Sequence, residues 1–141
     1  MNYTELEEKL GKEKLGKQIK SEWHQASGGG WIHKKARVDN EDNIRDNAIV
    51  MDNARVYGDA QVYGNAIVMD NAKVYDNARV YGNAWISGNA LVFGDARISD
   101  NARVTGDAWV YGNARVTGDA WVYDNLWVSG NARVFWQCKG F

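Results

Sequence analysis

Asp59-Ala60-Gln61-Val62-Tyr63-Gly64, Asn65-Ala66-Ile67-Val68-Met69-Asp70 and Asn71-Ala72-Lys73-Val74-Tyr75-Asp76 are three consecutive hexads with one pattern. Each reads Asn or Asp, Ala, variable, Val, variable, Gly or Asp, and the beat extends from Gly30 to Gln137. A fixed period governs the reading, because it means that one small unit is stacked many times. Within a hexad, Ala and Val stand two apart and share one side of an extended strand, while the residue between them points away. The Gly-Asn, Gly-Asp or Asp-Asn pair that follows is turn chemistry, since these residues tolerate unusual backbone angles. Each hexad is therefore one short strand and one corner.

This pattern resembles the hexapeptide-repeat family, and its insertion-free form is similar to the short YdcK-like members found in bacterial and phage genomes. The resemblance implies an all-β fold, a single-stranded left-handed parallel β-helix of triangular section with three hexads per coil. Residues 30–137 then make six coils, a column about 29 Å tall at the usual strand spacing. Small Ala and β-branched Val suit its narrow interior. Two residues depart from the pattern. Asp42 occupies an inward slot where a bare carboxylate would be costly, so the first coil is expected to be distorted or covered. Leu126 overfills its slot, and Phe135, Trp136 and Phe141 bring bulk to plug the C-terminal end. Cys138 fills an alanine slot as an inert small residue.

Residues 1–29 lack the beat and read as a helical cap or partner segment, with 138–141 as a short tail. Thr4-Glu5-Leu6-Glu7 has the form of a capping box. Glu5/Lys9, Glu8/Lys12 and Glu13/Lys17 are favourable i,i+4 pairs. Leu6 and Leu10 share one side of the helix, while Leu15, Ile19 and Trp23 fall on the opposite side. Gly28-Gly29-Gly30 reads as a hinge into the repeat.

The 141 residues carry a formal net charge of −1, which disfavours nucleic acid and membrane surfaces as general partners. No apolar run reaches membrane-spanning length and no secretory leader is seen, so the expected location is the cytoplasm, that of the host for a phage-encoded chain. One cysteine excludes an internal disulfide and a cysteine-based zinc site.

Function must come from the outward residues, which superpose every eighteen positions. On the first face, Trp31, Ile49, Met51, Ile67, Met69, Trp85, Trp121 and Tyr123 form an apolar strip with the composition of an interface. The resemblance implies trimers packed side by side, which makes this strip the expected contact between copies; the alternative is that the N-terminal helix folds back over it. The second face stacks Tyr57, Tyr75, Phe93 and Tyr111 as an aromatic ladder, either a stabiliser of the stacked coils or a platform for sugars or bases. The third stacks Arg79, Arg97, Arg115 and Arg133, with Asp95 and Asp100 expected to offset part of the charge. Such a row is either a solvated face or a site for an acidic protein or a phosphate-bearing ligand.

Catalytic chemistry has little to work with. Many proteins of this family are acyltransferases with a histidine general base, and the chain has only His24 and His33. His33 at a subunit junction is the alternative reading, but Lys34 and Lys35 oppose its protonation and no acid on its own face orients it. The long loop insertion with which such enzymes build their acyl-donor site is also missing. Two histidines cannot form a three-histidine zinc site, and corner acids such as Asp52 and Asp70 are primarily turn residues. The sequence therefore predicts a non-enzymatic binding or scaffold module without metal or cofactor. It would inhibit or sequester a partner through its aromatic or arginine face.

Overall fold

The computed structural model describes residues 2–11 and 20–136. It is a parallel β-solenoid of about six coils with one short N-terminal helix. Two-residue strands such as Ile49–Val50, Arg55–Val56 and Gln61–Val62 succeed one another around each coil, and each pairs with the strand eighteen residues on: Ile49 with Ile67, Arg55 with Lys73, Gln61 with Arg79. The strands assemble into three sheets of seven, six and five strands. Every inward Ala from Ala48 to Ala120 and every inward Val or Ile from Val50 to Val122 is almost completely buried, forming one continuous core along the axis.

The corners explain the choice between Gly and Asp. Every sixth residue from Asp46 to Gly130 has positive φ, six of them aspartates and nine glycines. A non-glycine residue there costs about 1 kcal/mol or more. Five of the six aspartates offset that cost, because their carboxylates reach the corner of the next coil. Asp46 accepts from the Gly64 N–H at 3.0 Å, Asp52 from Asp70 at 3.2 Å, Asp70 from Gly88 at 2.9 Å, Asp76 from Gly94 at 3.1 Å and Asp100 from Gly118 at 3.0 Å.

The N-terminal segment departs from the sequence reading. Helix α1 (Tyr3–Leu10) is capped by Asn2, whose side-chain oxygen accepts from the Glu5 N–H at 2.9 Å, so the start lies two residues before the expected Thr4. Trp23, expected on a helix, lies in strand β1 (Trp23–Gln25), which pairs antiparallel with the first solenoid strand β2 (Trp31–His33). Gly28-Gly29-Gly30 is the turn between them and not a hinge. Its backbone is bonded to Ala26, Glu41 and Ile44, and a Cβ on Gly28 would lie 2.6 Å from the Asp42 and Ile44 carbonyl oxygens. Leu15, Ile19, the Glu8/Lys12 and Glu13/Lys17 pairs, Gln137, Cys138 and Phe141 fall outside the described residues.

The first coil is both distorted and covered, as the misfit of Asp42 required. A 3-10 turn at Glu41–Asn43 turns Asp42 outward, where it accepts a hydrogen bond from the Ser27 hydroxyl. Ala26, from the segment before the repeat, joins the main core in its place. At the other end Leu126 is only partly buried, packed against that core. No helix among the described residues is long and apolar enough to cross a membrane.

Candidate binding faces

The 18-residue register puts each outward column where the sequence placed it, and burial then divides the first face in two. Ile49 and Met51 are fully buried, with Ile67 and Met69 nearly so. What covers them is the chain itself: Leu6 and Trp23 belong to the same buried cluster, with Leu10 and Trp31 packed against it. The expected contact between copies is therefore corrected for Trp31, Ile49, Met51, Ile67 and Met69, which meet α1 and β1 instead. A tethered helix with Leu6 and Leu10 on one side reaches this strip at high effective concentration. Lys9, one turn from Glu5, turns away from its expected ion pair. Its ammonium donates to the carbonyls of Asn47 and Asn65 at 3.0 and 3.1 Å, and burial lowers its pKa. Trp85 and Trp121 remain about two-fifths exposed. Arg103 lies 5.1 Å over the Trp85 ring, and the Trp121 indole N–H donates to the Thr105 hydroxyl at 3.2 Å.

His33 is 1% exposed. The acid that orients it comes not from its own face but from the segment before the repeat: Nε2 lies 3.1 Å from Glu22 Oε2. Nδ1 accepts the Lys35 backbone N–H at 3.3 Å, so the ring is the Nε2–H tautomer donating to Glu22. Trp23 packs edge-on against it, with centroids 5.1 Å apart. Lys34 also reaches Glu22, at 3.3 Å. The hydrogen bond from His33, followed by that from Lys34, holds the Glu22 carboxyl below its ordinary pKa. This constellation fastens β1 to β2. The sequence carried its signal as Trp23-His24-Gln25 and Trp31-Ile32-His33 around a glycine turn, which a helical reading of residues 1–25 obscured.

On the second face Tyr57, Tyr75, Phe93 and Tyr111 stack with centroids 4.8 to 4.9 Å apart and planes within 3°. Tyr75 and Phe93 thus have both ring faces covered by neighbours, leaving no room for a sugar or base to stack between rungs. That geometry supports the stabilising role of the ladder. Burial raises the pKa of Tyr57 and Tyr75, as do nearby groups including Asp76. In the column beside the ladder, Trp109 and Trp127 stack at 5.0 Å.

The third face presents Arg79, Arg97, Arg115 and Arg133 in direct register, all exposed. Among the described residues none of the four forms an ion pair or a side-chain hydrogen bond. Neither Asp95 nor Asp100, expected to offset part of the charge, forms an ion pair with the row. Asp100 is committed to the Gly118 N–H, and Asp95 only borders a groove of about 350 Å³ that it lines with Asn77, Arg79, Arg97, Asn113 and Arg115. Arg45 and Arg103 differ, since one bonds Gln61 at 3.0 Å and the other covers Trp85. A shorter basic row, Arg37, Arg55 and Lys73, stands in register on the second face beside Asp39 and Tyr57.

Four stretches, residues 60–74, 72–87, 96–112 and 108–124, match the YdcK β-solenoid repeat. These stretches are similar to that repeat and together cover less than half of the chain. The matched stretches include Arg79, Arg97 and Arg115 but not Arg133. No curated protein and no solved structure matches the chain significantly.

Proposed function

We propose that this YdcK-type solenoid is a non-enzymatic binding module, cytoplasmic in location, whose arginine column holds an anionic partner. The observation that carries this reading is the row of four in-register arginines, none of which forms an ion pair among the described residues. Neighbouring like charges across strands cost roughly 0.2–1 kcal/mol per pair, so the row is a standing repulsion that a bound anion relieves. Guanidinium forks suit carboxylates and phosphates, and four in line suit an elongated ligand. Against acyl transfer, His33 is enclosed between Glu22, Trp23 and the Lys35 N–H. We place contact between copies, as in a homotrimer, on the partly exposed Trp85, Trp121 and Tyr123. Light scattering checks this: Trp85→Lys with Trp121→Lys should give monomers, and an unchanged mass would remove the assignment.

The test of function is binding of fluorescein-labelled poly-glutamate and of tripolyphosphate to the whole protein. Arg97→Glu with Arg115→Glu should weaken binding of the preferred probe at least tenfold, while His33→Ala should leave it unchanged. Indifference to the arginine change would overturn the proposal. Acyl-transfer activity abolished by His33→Ala would support the alternative.

A further inference from the structure

The pitch of the arginine column restricts what can lie along it. Resting on the binding role proposed above, we infer that its partner is an α-helix bearing an acidic stripe, with carboxylates near positions i, i+4, i+7 and i+11. The column has four rungs in parallel register, Arg79 to Arg97 to Arg115 to Arg133. Strand spacing of about 4.8 Å puts the outer rungs about 14 Å apart. A helix advances about 1.5 Å per residue, so four carboxylates on one stripe span about 16 Å. The mismatch of about 2 Å is spread over four long, unpaired arginine side chains.

Other linear polyanions fit less well. Same-face side chains of an extended acidic peptide recur about every 6.7 Å, so four span about 20 Å and overshoot the column by about 6 Å. One strand of duplex DNA rises about 3.4 Å per phosphate and completes a turn in about ten, so it rotates by more than a third of a turn over the same length. The net charge of −1 and the carboxylate of Asp95 beside the row also oppose a densely charged nucleic acid.

The solenoid already accepts a helix on another of its faces. Leu6 of α1 shares one buried cluster with Ile49, Met51, Ile67 and Met69, the rungs of two successive coils, and Leu10 packs against it. Lys9 of the same helix bridges the carbonyls of Asn47 and Asn65, again one coil apart. Helix α1 thus touches two successive coils at once. On the third face two successive coils would be read by charge, with the Asn77 amide at the groove available to donate to carboxylate oxygens.

The experiment uses the whole protein and hydrocarbon-stapled helical peptides carrying four glutamates, followed by fluorescence anisotropy at low and physiological salt. One peptide has the glutamates on a single stripe; a second has the same composition and staple with them distributed around the helix. Unstructured poly-glutamate and a short DNA duplex complete the set. The striped helix should bind at least tenfold more tightly than the dispersed one. Arg97→Glu with Arg115→Glu should abolish that preference, Arg55→Glu on the second face should not, and Asp95→Asn should strengthen binding about two- to fivefold. Equal binding of both helices, or preference for poly-glutamate or DNA with dependence on Arg97 and Arg115, overturns the helix assignment while the anion-binding role stands. Failure of every anion to depend on these arginines overturns both.

Discussion

Asp70 shows how one residue type serves the fold twice. It sits at a corner with φ of 58°, and its carboxylate accepts the Gly88 N–H at 2.9 Å. Asp70→Ala keeps the strained angle and loses the bond, which should destabilise the protein by about 1–3 kcal/mol. Asp70→Gly loses the bond but relieves the angle, so its loss should be smaller. Denaturant titration separates the two, and equal losses would show that the positive φ carries no cost at this corner. The sequence assigned such acids to turn chemistry correctly. It did not reveal the bond to the next coil, because that requires knowing that residues eighteen apart superpose.

At the scale of elements, the N-terminal segment is an apolar lid held by a polar fastener. Leu6 is fully buried against the strip of the first face. Leu6→Ala should therefore loosen α1 by about 2–4 kcal/mol, seen as faster hydrogen exchange in residues 3–10 with the coils beyond Trp85 unaffected. The fastener is Glu22 with His33 and Lys34. Its folded pKa lies below the unfolded value, so the unfolded state binds the extra proton in acid. The stability from Glu22 is fully present above the ordinary glutamate pKa and is lost as the pH falls through the lowered folded value. Glu22→Gln should remove that part of the acid dependence, read from the pH profile of β1 protection. An unchanged profile would place the acid sensitivity elsewhere. The helix and its apolar side were legible from Leu6 and Leu10. The fastener was not, because Glu22 and His33 belong to different elements and meet only through the antiparallel pairing of β1 with β2.

For the whole molecule, the hexad fixed the column and its three faces, since a period of six in three sheets leaves no freedom of register. The hand of the coil does not follow from spacing. Nor did spacing tell which part of an apolar face its own chain would cover, or whether nearby aspartates would pair with the arginines. On the latter, Asp100 bonds a backbone N–H at the next corner and Asp95 borders the arginine groove without an ion pair, so the charge of the row is at most partly offset.

That residual charge is the centre of the functional account, and its cost can be measured without knowing the partner. Thermal melting of the wild type and of Arg97→Gln with Arg115→Gln should be compared at low and high salt. The substitution removes three successive like-charge contacts, Arg79–Arg97, Arg97–Arg115 and Arg115–Arg133. The variant should be more stable by about 1 kcal/mol at low ionic strength, with the gain fading as salt screens the row. A variant less stable than the wild type at low salt would mean that the arginines hold the column together, and would contradict their assignment to a partner.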